Sequence, residues 1–401
     1  MIFISIIQIY EENTTIEHVK SLAFNRTASS TGETEAIKYI EKELMESGIS
    51  SKIEHFDWMG PMKLLMRLTY ALILVYLILF RLFLIIIIYF IIKNMFEKIR
   101  NITFVKNEES KNLCTRIQAK ENTPNRPLVI MSAHYDSIST TLPYRLQVVL
   151  FFTYRLIVIF YGFIIIVFSI IFLLDYFSII PLSDFLVILV IFTSMGGVFI
   201  SIPILYIGFV ERISSGSIDN ASGVAILIEL ARLFKKYPLE KMNLLFLWTG
   251  AEEWGLKGSI RFCRRHYIDL IKKYNFDKSF NINIDMVGTY IGLLDKTGLI
   301  LKRKMNDNLN EILLATAKNL NIPLNIYNKI IKPKSDYRIF QKYAKKARKK
   351  LQIAFFHSDK DSKYIHSSND TPDKCSVENL NGCLNICYQA LRSIDLRIDG
   401  S

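Results

Sequence analysis

Two apolar patterns alternate along the chain. RPLVIMSAHYDS, KMNLLFLWTG, SFNINIDMVG and LQIAFFHS each start apolar and finish polar. Runs of that length read as buried strands that stop at a sheet edge. SKIEHF and NITFVK read as shorter strands. Between them lie segments whose apolar residues recur three and four apart: TGETEAIKYIEKELMESGI, SGVAILIELARLFKKY, SIRFCRRHYIDLIKKY, NDNLNEILLATAKNLNI and VENLNGCLNICYQALRSID. These predict amphipathic helices, the first capped by Thr31 or Thr34 and ended at Gly48. Strands alternating with helices predict an α/β fold whose sheet is covered on both faces. The opening MIFISIIQIYEENTT has a short apolar stretch and no basic start, so it reads as a first strand or a surface-lying segment rather than a signal peptide.

Three longer runs interrupt this pattern, at residues 64–95, 146–173 and 185–210. A membrane span needs about 20 apolar residues. The last two runs, with Asp175, Pro181, Ser183 and Asp184 between them, predict a two-helix transmembrane hairpin over 146–210. The first is too long for one upright span, short for two, and contains Arg67 and Arg81. The flanking pieces must meet on one side to build one sheet, so an even number of crossings or a re-entrant element is expected over 63–97. The expected organisation is therefore 1–62, 98–145 and 211–401 as parts of one catalytic domain, with 63–97 and 146–210 as membrane insertions. Lys63, Arg67, Lys93, Lys98, Arg100, Arg145 and Arg212 stand near the polar ends, which places that domain in the cytoplasm of a multi-pass integral membrane protein. The five cysteines lack a dense framework and read as free thiols; Cys383 and Cys387 have the spacing of helix packing. The hydrophobic fraction of 51% agrees with lipid-bilayer contact, and the net charge of +13 suits anionic headgroups. The densest basic run, KYAKKARKK, reads as a solvated helix face; without interleaved aromatics it does not point to nucleic acid.

The polar residues at the strand ends carry the chemistry. In α/β sheets reactive groups gather there. His134 and Asp136 close one strand, Glu252 and Glu253 follow a second, and Asp285 closes a third. Asp219 and Asn220 precede a helix, and His366 and Asp370 sit in the loop YIHSSNDTPD. Singly, each is ordinary: a helix cap, a turn residue, an exposed acid. As a set, two histidines and several carboxylates match the ligand preferences of zinc. The set also suits a two-metal site in which one carboxylate bridges. A cation beside Glu253 would turn the repulsion of the adjacent pair into coordination and leave Glu252 to act as a base.

SAHYDS, SIDNASG, WTGAEEWGLKGS, NIDMVG and YIHSSNDTPD stand in the order and context found in the M28 family of zinc peptidases. The chain resembles these di-zinc aminopeptidases over almost all of its part outside the long apolar runs. The resemblance implies an α/β/α sandwich with a mixed, mostly parallel sheet, here interrupted by transmembrane helices. It implies two Zn2+ ions as cofactors and a peptide as substrate. His134 and Asp285 would hold one zinc, Glu253 and His366 the other, and Asp219 would bridge. Glu252 would be the general base, and Asp136 would accept a hydrogen bond from His134. Ser335 and Asp336 fall where the family has a Ser-Asp segment, with no role assigned. The implied function is a membrane-bound zinc aminopeptidase that hydrolyses N-terminal peptide bonds. The alternatives are a carboxypeptidase (with Arg338 to hold a C-terminal carboxylate), a single-zinc enzyme of the glutaminyl-cyclase type, or a non-catalytic membrane binding protein. Residue preference and oligomeric state stay open.

Overall fold

The computed structural model describes residues 13–58, 108–121, 124–139 and 214–398, with scattered positions between 146 and 192. The chain divides into two compact units: Met1–Trp58, Glu109–Ser139 and Arg212–Ser401 form one, Met59–Glu108 and Thr140–Glu211 the other.

The first unit is built on one nine-stranded sheet. Its strands are β1 (Lys52–Trp58), β2 (Glu108–Ile117), β3 (Leu128–His134), β4 (Asn243–Thr249), β5 (Phe280–Ile284), β6 (Gly292–Thr297), β7 (Arg303–Lys304), β8 (Asn325–Lys329) and β9 (Gln352–Phe356). The order is β1-β2-β4-β3-β5-β9-β6-β7, with β8 on β6. β4, β3, β5 and β9 are parallel neighbours, while β2 and β6 run antiparallel to the strands they flank. The sheet is thus mixed with a parallel centre, in line with the expected α/β class.

Every residue of β3 and β5 is buried, as near-continuous apolar strands require when helices cover both faces. On one face Leu128, Ile130, Leu245 and Leu247 pack against Phe262, Tyr267, Leu270, Ile339 and Phe340. Each such side chain stabilises the fold by about 1.5–3 kcal/mol. In chain order the helices are α1 (Thr14–Ser21), α2 (Thr31–Glu46), α3 (Ser222–Lys236), α4 (Lys257–Lys273), α5 (Leu309–Asn319), α6 (Tyr337–Lys346) and α7 (Val377–Asp395). Thus α4 and α6 cover that face. α3 packs on β3 and β4 and is flanked by α1 and α7.

The local readings fare differently. The reading of the opening segment falls on residues 1–12, which lie outside the described residues; the first described element is the helix α1. The α2 cap is Ser30, whose Oγ accepts the Glu33 N–H at 3.1 Å. NITFVK lies outside the described residues. The polar strands β2, β6, β7 and β8 carry too little apolar alternation to be read from sequence, being held by neighbours rather than by their own pattern. The five cysteines are free, and Cys383 and Cys387 are buried on α7.

The membrane expectation is also corrected. Among the described residues no helix is long and apolar enough to cross a membrane. The readings of a multi-pass integral membrane protein, transmembrane interruptions of the sheet and a cytoplasmic catalytic domain fall with it. Hydropathy counts apolar residues, whereas a span also requires an unbroken helix of about 20 of them. The run 64–95 and most of 146–210 lie outside the described residues. At described helical positions of the second unit, Phe152, Ile159, Phe163 and Phe192 are exposed.

Glu33 gives the first unit a pH dependence. It is buried, accepting the Ser29 N–H at 2.6 Å, the Tyr135 hydroxyl at 3.2 Å and the Ser110 hydroxyl. Burial pushes its carboxyl up to about 7. An acid raised in the folded state stabilises it fully below its unfolded pKa, and that contribution is lost as pH rises through the folded value. Wild type should therefore lose roughly 2–3 kcal/mol relative to Glu33→Gln as pH rises from about 4.5 to about 7.5. Urea unfolding of both proteins at the two pH values checks this; parallel curves would refute it.

Candidate metal centre

The parallel strands bring the motifs to one edge. His134 is the last residue of β3 and pairs with Thr249, the last of β4. Asp285 directly follows β5, whose Ile284 pairs with Phe356 at the end of β9. Glu252 and Glu253 come three and four residues after Thr249, and His366 lies in the loop beyond β9. Asp219 arrives in the segment Ser217–Ala221 that leads into α3. The turn after β4 needs Gly250: a Cβ there would lie 2.6 Å from Ser110 Oγ and would strike the Lys111 carbonyl. The loop then doubles back, with Lys257 N–H on the Ala251 carbonyl and Gly258 N–H on the Gly250 carbonyl, both at 3.0 Å.

Asp219 stands between the two histidines. Its Oδ1 is 3.0 Å from His134 Nε2 and its Oδ2 is 3.3 Å from His366 Nε2. Asp285 Oδ1 is 3.4 Å from His134 Nε2, and Glu253 Oε1 is 2.8 Å from His366 Nε2. His134, Asp219 and Asp285 thus form one group with metal-ligand spacing, and Asp219, Glu253 and His366 form a second. All are buried or nearly so. Asp219 Oδ1 is buried and makes no aligned hydrogen bond, close as His134 is. A buried carboxylate oxygen left that way is costly unless a cation meets it. Two imidazole nitrogens and carboxylate oxygens are zinc donors, so the residues present fit the metal.

Other residues hold these ligands in place. Asn220 takes the Gly223 and Met286 N–H groups on its Oδ1, at 3.1 and 3.0 Å, and donates to the Ile284 carbonyl at 2.9 Å. It ties the Asp219 segment to the Asp285 turn. Asp370 accepts the N–H of Ile218 at 2.6 Å and of Asp219 at 3.4 Å. Asp136 departs from its expected role. His134 Nδ1 meets the main-chain carbonyl of Asp136 at 3.1 Å, with the carboxylate farther off at 3.6 Å. That carboxylate instead accepts the N–H groups of Glu252 and Glu253, at 3.0 and 3.2 Å, which fixes the acidic pair.

Arg26 was not singled out from the sequence. Its guanidinium is wholly buried and donates to the carbonyls of Tyr135 and Ser215, at 2.8 and 2.9 Å, and of Gly216 at 2.8 Å. It clamps the residue after His134 to the segment before Asp219. Burial lowers its pKa to about 10, opposed by the carboxylates of Asp370, Asp136 and Asp219. A single arginine ahead of a helix cap carries no pattern that would have marked it.

The charges act on one another strongly. Burial disfavours a charged His134, yet Asp136, Asp219 and Asp285 hold its imidazole well above the ordinary range. Burial works likewise against His366, and Glu253 and Asp219 raise it. Burial would raise Asp219, but the two histidines hold it far below the usual carboxylate range. Glu252 is pushed well up by burial, with His134 opposing and Glu253 adding. Burial also raises Glu253.

Residues 201–391, which contain all these groups except His134 and Asp136, match the family described as Peptidase family M28. The match therefore spans a little under half of the chain. Over 77 residues it is 42% identical to aminopeptidase YwaD of Bacillus subtilis (strain 168), a stretch covering 19% of this chain and 16% of that protein. A probable zinc metalloprotease of Pyrenophora tritici-repentis (strain Pt-1C-BFP) is 37% identical over 73 residues, 18% of this chain and 15% of the relative. Among solved structures, an aminopeptidase from Aneurinibacillus sp. strain AM-1 superposes with a TM-score of 0.56 at 15% identity, over 94% of this chain and 92% of that one. A glutaminyl cyclase from an Acidobacteriales bacterium gives 0.54 at 14% identity, over 96% and 94%. At such identities these matches show the fold alone.

Proposed function

We propose that this chain is a zinc-dependent aminopeptidase of the M28 type with a two-metal site. The observation that carries the reading is Asp219, which reaches a histidine and a further carboxylate on each side. His134, Asp285 and Asp219 would hold one zinc ion, and Glu253, His366 and Asp219 the other. When bound, the ion pair supplies an acidified water and polarises the scissile carbonyl.

The chain's own residues do the rest. Glu252 belongs to neither ligand group and is buried beside Glu253. Its raised pKa suits a carboxylate that takes a proton from the attacking water and passes it to the leaving amine. Asp136 steadies that base through the Glu252 N–H. The surrounding carboxylates favour an ammonium, such as the free N-terminus of a peptide. A cyclase of the single-zinc type would leave one of the two ligand groups without a task.

The test is metal removal. Zinc-loaded protein should release chromophore from aminoacyl substrates, lose that activity on chelation and regain it as about two equivalents of zinc return. Full recovery at one equivalent would sink the two-metal reading.

A further inference from the structure

The segment from Lys332 to Arg338 reaches the same edge of the sheet. Ser335 is buried, and its Oγ accepts Asn283 Nδ2 at 2.9 Å, two residues before Asp285. Asp336 is buried, and its carboxylate accepts the Thr249 hydroxyl, three residues before Glu252. These two bonds pin the segment across the ends of β4 and β5. Lys334 precedes them and is exposed; Arg338, the second residue of α6, is exposed as well. Neither makes an ion pair with a carboxylate among the described residues. Lys332 lies near Arg338, with its Nζ on Gln341 and over the Tyr337 ring. Burial, and then the Arg338 charge, lower it to about 8. The positive charge of Lys334 is felt at buried Glu252.

Lys332 and Arg338 repel each other, and a bound anion would relieve that repulsion. The N-terminal end of α6 adds a partial positive charge at the same place. Glu252 and the ligand carboxylates favour the ammonium end of a substrate, so an anion-seeking rim beside them makes the site bipolar.

We propose that Lys334 and Arg338 form a carboxylate-recognising rim, so that preferred substrates are peptides with a negative charge close to the scissile bond. This rests on the peptidase reading above and narrows its substrate class. The carboxylate has two possible sources: an acidic side chain, or the C-terminus of a very short peptide.

Two substrate pairs separate the sources and the readings. Leu-Leu against Leu-Leu-amide reports the terminal carboxylate, and Leu-Glu-amide against Leu-Gln-amide reports the side chain. With zinc-loaded protein, the charged member of at least one pair should show kcat/KM about tenfold higher, through KM. Lys334→Glu should abolish or invert that ratio, Lys334→Arg should keep it, and about 0.5 M salt should shrink it. Equal rates within both pairs, or a ratio that survives Lys334→Glu, would overturn the rim. Cleavage of the neutral amides in that case would leave the peptidase reading intact. Failure of all four substrates would bring down both together.

Discussion

Glu252→Gln protein is expected to take up as much zinc as wild type and to lose kcat by about 10²–10⁴-fold. The substitution keeps the shape of the side chain and removes its capacity to carry a proton. Glu252 is in neither ligand group, so metal content should not follow activity. Its neighbour behaves differently: Glu253 lies 2.8 Å from His366 and belongs to a ligand group, so Glu253→Gln should cost metal as well as turnover. Elemental analysis beside steady-state kinetics separates the two. A Glu252→Gln enzyme that kept a tenth or more of wild-type kcat would remove the residue from the proton path.

The second large effect belongs to Asp219. Asp219→Asn should weaken both metal sites at once, with zinc affinity falling at least 10–100-fold at each and activity lost. Asp285→Asn should weaken one site and spare the other, because Asp285 belongs to the group with His134 and not to the group with His366. Competition with a chromogenic zinc chelator reads stoichiometry and affinity in both variants. Asp219→Asn protein that still held one zinc at wild-type affinity would show that the carboxylate is not shared.

Much of this site could be read before the fold was known. Of the candidate ligands, His134, Glu253 and Asp285 stand at or just beyond the end of an apolar run, and the parallel strands β3, β4, β5 and β9 stop at one edge. Strand ends and ligand types are local properties, so the sequence shows them. The supporting contacts are long-range. Arg26 and Gly216 are far apart in the chain, and nothing near Arg26 announces its five-fold donor capacity. Asp136 was expected to serve His134, but backbone amides delivered by the loop after β4 claim its carboxylate first. Such competition depends on where a loop lands, which no pattern in either segment encodes. The long apolar runs are a separate case: among the described residues no helix is long and apolar enough to cross a membrane.

The clamp around Arg26 also bears on chain entropy. Ser214 N–H donates to Ser139 Oγ at 2.9 Å, and Arg26 joins the carbonyls of Tyr135 and Gly216. The stretch from 140 to 213 therefore leaves and re-enters at a stapled neck, between His134 and Asp219. Closing a loop costs entropy that grows only with the logarithm of its length, about 0.6 kcal/mol for each doubling. Once the neck is fastened, the length of what is threaded through it hardly registers at the two ligands. A core closed in this way can lengthen or exchange that stretch at small thermodynamic cost while the residues on either side keep their places.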